Sequence, residues 1–243
     1  MKTILILGAV SDIAEQIAYQ YAVKNYTLIL ASRNSDRLMH LKSDIEVKHN
    51  VPVHVVEFDA VNFSSHQSFY LNLPVRPECV CCVFGYLGEQ EIAEKNEEEC
   101  MRILNTNYVG AVSILNCIAN EFEKQKEGTI IGISSVAGDR GRKSNYLYGS
   151  AKAGFTTYLS GLRNRLYSSD VHVLTVKPGF VDTQMTKDLS LPPLLTASPN
   201  QVAKDIYKAM EKKKNVLYTK WFWKYIMFII KQIPEPIFKK LSL

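Results

Sequence analysis

Tyr148 and Lys152 stand four residues apart, separated by Gly149-Ser150-Ala151, and Ser135 lies thirteen positions upstream of the tyrosine. If this stretch is helical, the phenol and the ammonium share one face, one turn apart. An ammonium beside a phenol favours the phenolate, so the tyrosine would exchange a proton below its free pKa of about 10. The Ser135 hydroxyl, arriving from a neighbouring element, would hydrogen-bond the oxygen that the phenol protonates. That is general acid chemistry on a carbonyl. A Tyr-x-x-x-Lys spacing also arises by chance on exposed helices, so the case rests on what positions these residues.

The N-terminal segment supplies part of that frame. Thr3-Ile4-Leu5-Ile6-Leu7 is an unbroken apolar run, as expected of a strand buried on both faces. It runs into Gly8-Ala9-Val10-Ser11-Asp12-Ile13-Ala14 and then a helical pattern through Tyr21. Strand, glycine turn and helix N-terminus together can receive a dinucleotide pyrophosphate on backbone amides, here those around Gly8, Ser11, Asp12 and Ile13. Gly8 permits the turn, and Ser11 and Asp12 are N-cap types. One glycine is a weak signal by itself, since an ordinary strand-to-helix turn reads the same way.

A second strand, Thr27 to Ala31, ends at Ser32-Arg33. An acid here would bind a ribose 2′-hydroxyl, whereas an arginine accommodates a 2′-phosphate. No acid stands at positions 31 to 33, so Arg33 favours NADPH over NADH. Elsewhere apolar strand-like runs alternate with helical patterns over 243 residues, which predicts an α/β chain with a Rossmann-type doubly wound parallel sheet.

These residues together resemble the short-chain dehydrogenase/reductase family over roughly residues 3 to 219. The resemblance rests on Gly8 to Ala14, Asn107-Tyr108-Val109-Gly110, Ile133-Ser134-Ser135-Val136-Ala137-Gly138, Tyr148 with Lys152, and Pro178-Gly179 followed by Thr183. It implies a catalytic set of Asn107, Ser135, Tyr148 and Lys152. It also implies that Asp59 contacts adenine, that Pro178, Gly179 and Thr183 hold the nicotinamide, and that Lys152 holds the nicotinamide ribose. There are departures. Asp12 and Ala14 replace loop glycines, Leu7 replaces a threonine, and Cys82-Val83-Phe84-Gly85 replaces Asn-Asn-Ala-Gly after the fourth strand. Backbone amides persist at these positions, Gly85 included. A carboxylate at Asp12 would repel a phosphate unless it turns away as a cap. The departures, with Phe84 to Gly88 and Ala137 to Tyr146, resemble a subgroup that reduces a keto-sugar carried on a polyprenyl phosphate, the polyprenylphosphoryl 2-keto-pentose reductases.

Charge is uneven. The chain carries +5, but residues 212 to 243 hold eight lysines and one glutamate, which leaves 21 basic and 23 acidic residues elsewhere. A nearly neutral body argues against nucleic acid as a partner. Five cysteines, with Cys81 and Cys82 in one apolar run and no histidine near, read as buried thiols in a reducing cytoplasm and not as a metal site. The first residues already form the cofactor strand, so no signal peptide is expected.

The tail mixes its lysines with Trp221, Phe222, Trp223, Tyr225 and Ile226 to Ile230. As a helix it gathers Lys220, Lys224 and Lys231 into one sector, and it is too short to span a bilayer. The expectation is a domain over residues 1–219 and an amphipathic segment over 220–243 that lies on the cytoplasmic membrane face, with a tail packed on a partner subunit or on its own core as the other reading. Pro234 and Pro236 end the helix, and Ile237 to Leu241 adds a second short anchor.

Near the mouth, the apolar stretch Leu189 to Leu195 suits a greasy substrate, and Arg140 and Arg142, with Lys143, would hold a phosphate. The sequence thus points to an NADPH-dependent carbonyl reductase acting on a lipid-linked keto-sugar, which a partner oxidase would supply. Reduction of a soluble ketone or a 3-oxoacyl thioester, and a dinucleotide-binding regulator without turnover, are the alternatives. A homo-oligomer is left open.

Overall fold

Seven of the apolar runs pair in parallel as one sheet. The computed structural model describes residues 1–187 and 190–241, so the Leu189 end of the apolar mouth stretch lies outside the described residues. In chain order the elements are β1 Thr3–Leu7, α1 Asp12–Ala22, β2 Thr27–Ser32, α2 Met39–His49, β3 Val53–Glu57, α3 His66–Leu71, β4 Cys79–Cys82, α4 Gln90–Ala93 and α5 Glu97–Leu104. There follow α6 Gly110–Gln125, β5 Gly128–Ile133, α7 Tyr146–Leu166, β6 Val171–Lys177, β7 Phe180–Val181, β8 Thr196–Ala197, α8 Pro199–Glu211, β9 Val216–Tyr218, α9 Trp223–Gln232 and α10 Glu235–Phe238. The sheet order is β3-β2-β1-β4-β5-β6-β9, all parallel, and β7 pairs with β8 in a small separate ribbon.

Alternation along each strand feeds two cores. Ile4, Ile6, Leu28, Leu30, Cys79 and Cys81 face the layer of α1, α2 and α8. Leu5, Leu7, Ile29, Ala31, Val80 and Cys82 face α6 and α7. Full burial on both faces is why these strands read as continuous apolar runs. Cys81 and Cys82 therefore point to opposite faces, and burial pushes the Cys82 thiol up to about 12.

Strand order reverses direction between β1 and β4, which opens a crevice at their carboxyl ends. Gly8 leaves β1 with φ +89°, and a Cβ there would meet the Phe84 backbone at 2.6 Å, so only glycine fits where these two loops touch. Ser11 caps α1, its Oγ accepting from the Ala14 N–H at 3.3 Å.

Candidate active site

Ser135, Tyr148, Lys152 and Asn107 converge at the carboxyl end of β4 and β5. α7 carries Tyr148 and Lys152 in its first two turns, one face and one turn apart. Gly149 lets this helix lie close to the turn after Ser135: a Cβ there would meet the Ala137 carbonyl oxygen at 2.8 Å. The approach brings the Ser135 side chain into a hydrogen bond with the Tyr148 phenol. Ser135 Oγ also accepts the Ala137 N–H at 3.1 Å, which fixes its rotamer.

Lys152 is buried at 3% exposure, and its Nζ donates to the Ile133 carbonyl at 3.1 Å. A Cβ on Gly85 would stand 3.0 Å from Asn107 Oδ1 and 3.5 Å from Lys152 Nζ, so these three residues share one small space. Asn107 sits in a π-helical turn, Asn105–Val109, between α5 and α6. Its Nδ2 donates to the Ile103 carbonyl at 2.8 Å and to the Tyr86 carbonyl at 2.6 Å, while Oδ1 accepts the Tyr86 N–H at 3.1 Å. The turn loosens the regular ladder, and the amide side chain takes up a carbonyl it frees.

The electrostatics differ from the sequence expectation in one respect. Burial pushes the Tyr148 phenol up to about 12, against the opposing pull of the Ser135 hydrogen bond. Lys152 does not lower it here: its Nζ lies 5.6 Å from the ring centroid and is turned to Ile133. Burial also draws the Lys152 ammonium down, to about 8. A phenol that keeps its proton at neutral pH is the form a general acid needs for reduction.

On the cofactor side, Gly8, Ser11 and Ile13 lie where the reading put them, at the loop and first turn of α1. The amides of Asp12 and Ile13 open this helix with no carbonyl four residues back to receive them. The Asp12 carboxylate is engaged by another segment: its Oδ2 accepts the Gln184 N–H at 2.8 Å. Arg33 is exposed just past β2. Asp59 follows β3, its carboxylate accepting the Val61 N–H at 3.1 Å. The Pro178 carbonyl accepts the Val136 N–H at 3.0 Å, tying the segment expected to hold the nicotinamide to the serine loop. Thr183 caps the turn Gln184–Thr186. Loop glycine, open helix amides and a free cation past β2 form a cradle that fits a dinucleotide phosphate.

The two arginines separate. Arg140 does not present its guanidinium to the mouth. Nη1 donates to the Ile230 and Ile233 carbonyls, both at 2.6 Å, Nη2 donates to Glu235 at 3.0 Å, and the group stacks 3.6 Å from the Phe238 ring centroid. It serves as a C-terminal cap for α9, because the last carbonyls of a helix need donors. Arg142 is half-buried beneath α9 with Nη2 at 3.3 Å from Met227 Sδ, and its buried Nε has no partner among the described residues.

The tail lies on the mouth. Trp223 and Met227 are buried against Val136, with Phe180, Leu195 and Ile230 packed round them. Trp223 covers Gly179 so closely that a Cβ there would fall 2.1 Å from the indole, and its Nε1–H donates to the Leu195 carbonyl at 3.1 Å. Lys220 Nζ donates to the Leu194 carbonyl at 2.7 Å. The segment read as separate from a 1–219 domain thus shares a cluster with it.

The match to known proteins agrees with this geometry. Residues 2–193 match the short chain dehydrogenase family. The chain belongs to that family. An uncharacterised oxidoreductase of Mycobacterium tuberculosis is 31% identical over 98% of this chain and 96% of its own length. An NADP-dependent 3-hydroxy acid dehydrogenase of Schizosaccharomyces pombe is 25% identical over 76% of this chain and 73% of its own. Among solved structures, a short-chain dehydrogenase from Sphingobium yanoikuyae in complex with NADPH superposes with a TM-score of 0.86 at 19% identity, covering 99% of this chain and 96% of that one. This short-chain dehydrogenase is an oxidoreductase with the fold its sequence announces.

Some of its site residues escaped the linear reading. Tyr86 holds Asn107 through backbone groups, which no side-chain motif records. Asp139, 2% exposed at its side chain, pairs with Lys177 at 2.5 Å and accepts from the Tyr218 hydroxyl at 2.8 Å, uniting the serine loop, β6 and β9. A lone acid among Arg140, Arg142 and Lys143 was its only trace.

Proposed function

We propose that this enzyme is an NADPH-dependent carbonyl reductase whose substrate is a keto-sugar carried on a lipid phosphate. The observation that carries the reductase reading is a protonated, Ser135-bonded phenol one turn from a buried lysine, beside Asn107 and Gly85. NADPH, when bound, supplies a hydride to the carbonyl carbon. Tyr148 delivers the proton to the carbonyl oxygen, Ser135 orients that oxygen, and Lys152 holds the ribose side of the site. Asn107 steadies the Tyr86 backbone and serves a relay water. Gly8, Ser11, Asp12 and Ile13 take the pyrophosphate on backbone amides, with Gly85 beside them. Arg33 takes the 2′-phosphate, Asp59 the adenine, and Pro178, Gly179 and Thr183 the nicotinamide.

The lipid reading rests on α9. Its inner face is packed, yet Tyr225, Phe228 and Ile229 stand 58%, 64% and 65% exposed on the outer face, and Trp221, just before the helix, is 73% exposed. Lys220, Lys224 and Lys231 flank that apolar stripe, and Lys239 and Lys240 follow it. Aromatic and aliphatic groups edged by lysines suit an anionic bilayer surface, at about 1 kcal/mol per lysine near it. No helix among the described residues is long and apolar enough to cross a membrane. The substrate mouth beside α9 would then open at the lipid, with Arg142, half-buried beneath α9, as the cation nearest to meet a substrate phosphate there. An oxidase acting on a hydroxyl must supply the ketone.

The test is NADPH consumption on extracted lipid-linked sugars beside a panel of soluble ketones and 3-oxoacyl thioesters. Turnover confined to the soluble panel would favour the second reading, to which the 3-hydroxy acid dehydrogenase relative lends support. No turnover on any ketone would leave a dinucleotide-binding regulator. Co-sedimentation with anionic vesicles tests the tail separately. The combined variant Trp221→Ser, Phe228→Ser, Ile229→Ser should lose vesicle binding without disturbing the packed face; unchanged binding, or a dimer that this variant breaks, would remove the membrane reading.

A further inference from the structure

Asp12 stands where the family pattern has a glycine, at the first position of the helix that opens onto the cofactor loop. A carboxylate there opposes an arriving diphosphate, so its presence calls for a physical reason. The reason lies on the other side of the chain. Asp12 Oδ2 accepts the Gln184 N–H at 2.8 Å, a contact between residues 172 positions apart.

Gln184 opens the short turn Gln184–Thr186 that follows Thr183. Thr186 Oγ1 closes the turn, accepting the Thr183 N–H at 3.2 Å and donating to the Val181 carbonyl at 2.6 Å. Just before it, the Asp182 N–H donates to the Ala197 carbonyl at 3.0 Å, where β7 meets β8. The chain leaving β7 is therefore held on one side by its own ribbon. Asp12 supplies the hold on the other side, from the first turn of α1. A bond from an ionised acceptor is among the stronger hydrogen bonds and serves well as a single-point tie.

We infer that Asp12 is a positioning residue: its carboxylate fixes the Thr183–Thr186 turn to the first turn of α1. The two ends of the cofactor cradle, the phosphate loop and the segment after Gly179, are thereby set at one spacing. The same bond gives one oxygen of that carboxylate a donor other than the open amides of Asp12 and Ile13. The tie itself rests on the fold alone; its effect on catalysis rests on the reductase reading.

Amide hydrogen exchange on the full chain tests it. In Asp12→Ala the Gln184 amide should exchange about tenfold faster or more, the loss expected for a charge-assisted bond, while amides of β1 keep their protection. Asp12→Asn retains an oxygen that can accept, and should restore most of the protection. Because the cradle loses its fixed spacing, Asp12→Ala should weaken the NADPH Kd about three- to tenfold, and Asp12→Asn should restore most of it. Unchanged Gln184 exchange in the alanine variant, or no recovery with asparagine, overturns the inference. So does a weakened NADPH Kd with Gln184 protection intact, since Asp12 would then belong to the cofactor site. A faster Gln184 exchange in an enzyme that reduces no ketone upholds the tie and sinks only the reductase reading.

Discussion

The cofactor half and the substrate half of this molecule are built on different plans. On the cofactor side each group proposed to meet the dinucleotide sits one to three residues past the end of its strand: Gly8 after β1, Arg33 after β2, Asp59 after β3 and Gly85 after β4. Sheet pairing alone places them, since parallel strands in register bring their carboxyl ends to one edge. The proposed substrate side is drawn from three distant segments, residues 135–145, 190–197 and 220–238. Side chains reaching across to backbone carbonyls hold them together: Arg140 to Ile230 and Ile233, Trp223 to Leu195, Lys220 to Leu194. The first plan is repeated with little change wherever the fold occurs. The second can be altered by changing a few side chains, which suits the half that must match a substrate.

If the halves are distinct, substitutions should sort by half, and the shared catalytic groups should show the largest effect. Tyr148→Phe removes the transferable proton and nothing else. The loss in kcat should be about 10²–10⁴-fold, with NADPH binding unchanged by titration. Near-normal turnover by the phenylalanine variant would overturn the assignment of the general acid.

Arg33→Ala strikes the cofactor half alone. Loss of a charged contact to a 2′-phosphate should cost roughly tenfold or more in NADPH Kd and leave NADH and the ketone KM nearly unaffected. Equal losses for both cofactors would show that Arg33 does not read that phosphate. Arg140→Ala is the mirror image. It removes the donors that cap α9 and should loosen the wall formed by Trp223 and Met227. Ketone KM should rise by up to about tenfold with NADPH Kd unchanged, because no part of the guanidinium reaches the cofactor loop. An effect confined to NADPH would erase the distinction between the halves.

The same contrast explains what could be read in the sequence. The sheet, the Gly8 loop, the buried cysteines on opposite faces and the Ser135–Tyr148–Lys152 grouping were legible, because each depends on local periodicity or fixed spacing. Arg140 was not. Its charge and position suggested a phosphate ligand, but its partners lie ninety and more residues away and are backbone carbonyls, which carry no residue-type signal. The tail was half legible. Its helix and its proline stop follow from the sequence, but the expected lysine sector holds only for Lys224 and Lys231, because Lys220 precedes the helix at φ +53° and turns to the Leu194 carbonyl; the division of the apolar residues between a packed and an open face depends on what α9 meets. The Tyr148 pKa went the other way from the expectation because burial, which spacing cannot reveal, outweighs the Ser135 hydrogen bond, while Lys152 turns to Ile133.

Lys152 offers the smallest effect and the sharpest sign. Its ammonium is buried, and burial draws its pKa from 10.5 down to about 8 in the folded chain. Below pH 8 both folded and unfolded chains are protonated, and the folded one bears the desolvation cost. Between pH 8 and 10.5 the unfolded chain binds the extra proton, so Lys152's contribution to stability rises with pH across that window. Reduction should fall as pH rises through about 8, since the lysine loses its charge there while Tyr148 keeps its proton to about 12. Lys152→Met keeps the volume and removes the charge. After allowance for the lost bond to Ile133, the variant should be about 1–2 kcal/mol more stable than the parent at pH 7, some 2–8 °C in Tm for a chain of this size. The difference should shrink as pH rises and reverse by pH 10.5, where the parent's bond to Ile133 is what remains, although the variant is inactive. Comparing the two proteins cancels the buried cysteines and tyrosines, whose raised pKa values act on stability in the opposite direction. A methionine variant less stable than the parent at pH 7, or an advantage of that variant that widens with pH, would mean that Lys152 is not a charged group kept for function at a cost to the fold.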